Sequence, residues 1–433
     1  MELRQVELMR LALPATVILA AWILLYLQID PIPTWFYVFA WYPTLILLDA
    51  AASRLDAGPS MLWRRPMLFA LAWSPIVWLV FEAANFRLHN WYYVFLPHSV
   101  WQRWTGIILS FATVVPMVLL AERALRAAGM FSTGRGPVVT VRHSDTRWAV
   151  ALGVGMAVLA LASPRTFFPL IWGAVFLIID PILFHRVPAF SLIGDLNQGQ
   201  WGRIGRLMLG GLGIGLLWEF YNFWARGKWI YTVPWLEHTK LFEMPPIGFL
   251  GFPFFALEAW SLYHALCALR IAVPMAGTDK CSRTRTAAAG SAAAVIAVTV
   301  LLGMESRTIS STVPRLQDVP GMTVPQVAQL EAAHVRSVFA LADSDPEQLQ
   351  ATGSLSPRAA RELVDKARLA TLRGIGTQHA AVLVDLGIGD ICALARQDPD
   401  MLSWEISHRY PAPRPTPPEI RIWVRAAARA CGD

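Results

Sequence analysis

Two glutamates, Glu82 and Glu219, stand in copies of one pattern within an otherwise apolar chain. The first copy runs Glu82, Asn85, Phe86, Trp91, Tyr93 and Pro97; the second runs Glu219, Asn222, Phe223, Trp229, Tyr231 and Pro234. Both read E-x-x-N-F, four or five residues, W-x-Y and then a proline. Glutamate and asparagine three apart share a helix face. Each pair can therefore hold a polar headgroup or a cation, or cap the loop that follows. A charge at membrane depth costs at least about 2–3 kcal/mol and normally faces protein or a wet cavity. Its repetition points to a site, or to a paired one.

Glu258 is the third carboxylate with chemical interest. It lies near the middle of an apolar run, flanked by Phe254, Phe255, Trp260 and Tyr263, with His264 about a turn and a half beyond. Such a group serves a ligand, or pairs with an arginine or an indole N–H, or stays protonated. Glu122 precedes Arg123 and reads as a boundary charge. Asp49 and Asp180 end helices close to Arg54 and Arg186, which fits structural ion pairs. Trp91, Tyr93, Trp101, Trp104, Trp229, Tyr231 and Trp235 read first as interface anchors and second as the lining of a lipid-facing cleft. His89, His98 and His238 fall in the same loops without metal-ligand spacing, so no metal site is expected. The chain has no G-x-S-x-G, no Walker loop and no H-E-x-x-H. No cofactor or catalytic residue is therefore assigned.

These residues need membrane helices to position them. Of 433 residues 55% are hydrophobic and 15% charged, the composition of a polytopic membrane protein with a soluble appendage. Expected spans are 11–28, 35–53, 67–84, 106–124, 148–163, 166–184, 207–224, 247–270 and 288–304. The first is read as a retained helix rather than a removed signal. One set of alternating loops carries 17 Lys and Arg and the opposite set 6, which places the first set, with the N-terminus, in the cytoplasm. The loops after Glu82 and Glu219 then lie outside, and so does the C-terminal domain.

The duplication reaches beyond the glutamates. Trp41 and Asp49 stand eight apart, as do Trp172 and Asp180; Pro116 precedes Glu122 as Pro253 precedes Glu258. The expected fold is all-α: two parallel four-helix repeats, 1–145 and 146–275, a connecting helix and linker, 276–313, and a soluble domain, 314–433. Repeats of four helices insert with one polarity and are related by an axis along the membrane normal. Ligand sites in such proteins commonly lie between repeats.

From Arg307 onward 14 Lys and Arg balance 14 Asp and Glu, so the soluble part is neutral. Cys392 and Cys431 can form a disulfide if this domain lies outside. A second repeat appears at a constant offset of 53: Val319-Pro320-Gly321 against Leu372-Arg373-Gly374, Leu330 against Leu383, and Asp345-Pro346 against Asp398-Pro399. Residues 314–431, typified by LRGIGTQHAAVLVDLGIGDICALARQDPDML, resemble a family built of two helix-hairpin-helix units. In DNA-binding members of that class, glycine-flanked hairpin amides hold a phosphate, which would fall to Gly374, Ile375 and Gly376 here. Gly321-Met322-Thr323 lacks the second glycine, and a neutral domain has no basic face for nucleic acid. A protein partner is the expectation for this domain, and nucleic acid is not. The W-x-Y-rich, acid-bearing helices resemble membrane-type carotenoid cyclases, although the paired acidic motif of that family is absent. The membrane part is thus expected to bind or process a lipophilic or amphipathic molecule, membrane lipid included. A transporter or channel, or a scaffold, are the alternatives, in a membrane of the bacterial plasma type.

Overall fold

The computed structural model describes residues 2–233, 239–275, 281–351, 355–411 and 414–432. Pro234, Trp235 and His238 lie outside the described residues. Contacts divide the chain into two compact units. The first comprises Met1–Leu88, Trp104–Ala225 and Val233–Leu302; the second comprises His89–Arg103, Arg226–Thr232 and Gly303–Asp433.

Helices occupy all nine expected spans. They are α1 (Glu2–Tyr26), α2 (Ile32–Leu55), α3 (Arg65–Leu88), α4 (Val100–Ala112), α5 (Val114–Ala127) and α6 (His143–Ala162). Next come α7 (Pro164–Phe167), α8 (Ile171–Arg186), α9 (Leu192–Asn197), α10 (Gly202–Trp224), α11 (Gly251–Ala268) and α12 (Arg283–Arg307). Among the described residues six helical stretches are long and apolar enough to cross a membrane: Ile32–Leu55, Arg65–Leu88, Val100–Ala127, Ser144–Ala162, Pro164–Arg186 and Arg283–Arg307. α10 carries five glycines after its first residue, and α11 holds Pro253, Glu258 and His264, so neither is apolar enough to join that group.

Within the first unit α1 packs on α2 and α6 on α8. α2 packs on α5 and α8 on α11, while α3 meets α5 and α10 meets α11. α5 also contacts α10, and α3 contacts α11. Backbone groups freed inside a membrane must find new partners. The Ser74 hydroxyl of α3 does this between α4 and α5: it donates to the Phe111 carbonyl (2.6 Å) and accepts from the Val115 amide (2.9 Å).

The second unit contains two strands, β1 (Trp91–Val94) and β2 (Lys228–Tyr231), paired antiparallel. The W-x-Y segments were expected as interface anchors. They instead form this pair, with Trp91 opposite Tyr231 and Tyr93 opposite Trp229. Period-two aromatics suit a strand at least as well as an interface. The helices of the second unit are α13 (Val324–Ala332), α14 (Val338–Ala342), α15 (Pro346–Ala351), α16 (Pro357–Thr371), α17 (Gly376–Asp385), α18 (Ile391–Ala395), α19 (Pro399–Arg409) and α20 (Pro417–Gly432). Leu330, Leu341, Leu363, Leu383, Leu394 and Trp423 are buried in one core. The Cys392–Cys431 disulfide, with 5.3 Å between the Cα atoms, ties α18 to α20.

Candidate functional site

Glu82, Asn85, Glu219, Asn222 and Glu258 are all wholly buried in the first unit. Trp91, Tyr93, Trp229 and Tyr231 belong to the strand pair of the second. The nine expected site residues therefore fall into two groups.

Glu258 has the most defined geometry. Its Oε1 accepts from the amides of Gly173 (2.8 Å) and Val175 (3.0 Å). Those amides are exposed because α8 is broken at Trp172 (ψ 110°) and Gly173 (φ +103°). A glycine supplies the positive φ that the break demands. The carboxylate of α11 thus caps a helix that restarts inside the span, satisfying donors that lipid cannot satisfy. Its other oxygen, Oε2, is buried with no hydrogen-bond partner among the described residues. Among the described residues the partners of this carboxylate are backbone amides rather than an arginine or an indole.

One turn before Glu258, Phe255 meets the rings of Trp78 (5.3 Å), Phe81 (5.3 Å), Trp172 (6.1 Å) and Trp218 (6.0 Å). Trp78 in turn donates its indole N–H to Glu82 Oε1 at 2.8 Å. Glu82 and Glu258 therefore border one aromatic cluster, fed by α3, α8, α10 and α11. Trp41 meets Trp218 (5.9 Å), the residue before Glu219, and Trp172 stacks on Phe81 (5.5 Å), the residue before Glu82. Each tryptophan eight residues ahead of an aspartate thus reaches across to the other copy of the glutamate motif.

The two aspartates are held alike. Asp49 accepts from the Ser60 hydroxyl and from the amides of Met61 (2.9 Å) and Leu62 (3.3 Å). Asp180 accepts from the Ser191 hydroxyl (2.7 Å) and the amides of Leu192 (3.0 Å) and Ile193 (2.8 Å). Their charge partners differ from expectation. Asp49 pairs with Arg123 (3.0 Å), not Arg54, while Asp180, among the described residues, adds the Ser261 hydroxyl (3.1 Å). Neighbours in sequence point away along the helix, whereas Arg123 comes from α5, against which α2 packs. Arg123 also binds Asp56 (3.0 Å), and its hydrogen bond holds that carboxyl below the usual carboxylate range. Glu122 pairs with Arg206 of α10 (2.8 Å), a boundary charge that joins the two halves. Burial lifts Asp195 to about 6 although Arg203 lies 3.3 Å away.

Sequence reasoning missed the serine latches, Trp78 and Arg123. The latch was legible: in both halves a serine follows the aspartate by eleven residues. Trp78 stands one helical turn before Glu82, also a readable spacing. Among the histidines of the loops that follow the glutamate motifs, His98 faces the Thr312 hydroxyl (3.2 Å).

Fold and site together define a helical membrane protein with buried carboxylates set among aromatic rings. No protein-family model, no curated protein and no solved structure matches the chain.

Proposed function

We propose that the chain is a duplicated membrane protein that binds a lipophilic or amphipathic small molecule between its two four-helix repeats. The observation that carries this reading is Glu258: a wholly buried carboxylate that caps a broken helix and leaves Oε2 without a partner among the described residues. A lone polar atom beside apolar and aromatic walls is the usual make-up of a small-molecule site. Glu82, carried by Trp78, borders the same ring cluster. Glu219, Asn85 and Asn222 are its companions in the motif.

Three features support the duplication: the matching serine latches of Asp49 and Asp180, the crossed contacts of Trp41 and Trp172, and a strand register that exchanges Trp and Tyr between copies. The hairpin between α16 and α17 supports a helix-hairpin-helix unit. The Cys392–Cys431 disulfide supports a C-terminal domain outside a plasma-type membrane, because such bonds persist in oxidising compartments. The transporter alternative draws on the same broken helix, since discontinuous helices often line transport sites.

Organic extraction of purified protein, followed by mass spectrometry, tests the reading. An isoprenoid or other lipophilic species should be retained by the intact protein and depleted in Glu258→Gln, with thermal stability changed little. Nothing recovered from either protein, or equal recovery from both, would sink it. Ion flux in liposomes that Glu258→Gln abolishes would favour the transporter instead.

A further inference from the structure

Residues 372–376 form the glycine hairpin that links α16 to α17, with Arg373 (φ +46°), Gly374 (φ +78°) and Gly376 (φ +70°) all in the left-handed region. In nucleic-acid readers such a turn offers its amides to a phosphate. Here the turn is already filled by extended chain. A Cβ on Gly374 would lie 2.1 Å from Cγ1 of Val94, and one on Gly376 would lie 2.6 Å from Cβ of Ser311. Only glycine permits so close an approach. The Tyr92 hydroxyl donates to the Arg373 carbonyl at 3.0 Å.

The occupant is also held along its backbone. On one side β1 pairs with β2. On the other, the Tyr93 amide donates to the Thr308 carbonyl (2.7 Å), and the amides of Ser310 (2.8 Å) and Val313 (2.9 Å) donate to the carbonyls of Tyr93 and Leu96. Tyr92, Val94, Phe95 and Ile230 are buried against Ile422 of α20. Phe339 of α14 meets Phe95 edge-on (5.1 Å) and carries the Arg226 guanidinium over its face (4.5 Å). Arg103 closes the arrangement with two bonds to Glu305, at 2.8 and 2.7 Å.

We propose that the 372–376 hairpin is a docking site for an extended apolar segment, that its occupant is the chain's own strand 91–94, and that the C-terminal domain thereby straps together the loops that follow Glu82 and Glu219. This stands apart from the ligand reading, since it uses none of the buried carboxylates. Strand addition supplies backbone hydrogen bonds, and the glycine pocket selects the side chain at position 94. A domain with balanced charge suits an apolar strand better than a polyanion.

Hydrogen exchange of the full-length protein in detergent, read by mass spectrometry, tests the strap. In the native chain, peptides covering 91–96 and 308–313 should be protected together. Gly374→Val should speed exchange in both by about tenfold or more, while the α18 peptide stays protected. Val94→Lys, which leaves both glycines in place, should do the same from the other side. If Val94→Lys leaves both peptides as protected as before, the docking is overturned. Salt-dependent binding of an oligonucleotide by the intact native protein would also overturn it, because the hairpin would then be open to phosphate.

Discussion

Asp49 and Asp180 answer the same problem in two ways. Both are buried near the end of a helix, and both are latched by a serine eleven residues on and by the next two amides. In the first half Arg123 supplies a full countercharge; in the second the Ser261 hydroxyl takes that place. The same half carries the broken α8 and the Glu258 cap, whereas the matching α2 runs unbroken from Ile32 to Leu55. Asp49 is thus braced by an ion pair and Asp180 by a hydroxyl, in the half that also sets a carboxylate on a backbone break.

The largest expected effect breaks the brace. Arg123→Met leaves Asp49 buried without its cation and should cost about 3–5 kcal/mol, whereas Ser261→Ala should cost about 1 kcal/mol. Thermal unfolding of both variants in detergent measures the gap. Equal losses would mean that the halves are braced alike.

Glu419 sharpens the contrast from outside the membrane helices, since it is buried, with the Thr416 hydroxyl donating to its Oε1 at 2.9 Å. Burial raises its carboxyl from 4.5 to about 7. Its folded-state value therefore lies above the unfolded one. Stability of the second unit should be fully present below about pH 4.5 and fall as pH rises through about 7, by an amount of order 3 kcal/mol. Glu419→Gln should remove that slope. A native slope of the opposite sign between pH 5 and 8, absent in the variant, would refute the burial argument.

Two glycines test the break in α8. Gly173→Ala forces a side chain into positive φ and should destabilise by about 1–2 kcal/mol. Gly155 of α6 has open space around it, so Gly155→Ala should stabilise by about 0.5–1 kcal/mol. Chemical unfolding reads the two signs, and a neutral Gly173→Ala would mean the chain does not need that turn. The smallest effect concerns what the halves share: Ser60→Ala and Ser191→Ala should each cost about 1 kcal/mol. A cost at one serine alone would end the equivalence of the latches.

The helix positions were legible because apolar runs of spanning length report directly on membrane solvation. Glu82, Glu219 and Glu258 were legible as costly groups, and all three are buried. The strand pair was not, because residues 91–94 pair with a segment more than a hundred residues away and W-x-Y looks the same at an interface. Arg123 was missed for a related reason: packing of α2 on α5, not sequence distance, decides which base reaches Asp49. The break at Trp172–Gly173 hid inside an unremarkable apolar run. A lone glycine there reads as lost helix propensity until its φ is known.

The strand at 91–94 also sets a timetable. Tyr92 finds its Arg373 partner 281 residues further along the chain. At typical synthesis rates that is a wait on the order of tens of seconds, in which one edge of the strand gains residues 228–231 first and the other stays open until residues 308–313 are made. The second unit is therefore the last part of the molecule to be finished. A ribosome that stops near residue 302 would release a product with most of its apolar helices and a strand pair with one edge still open.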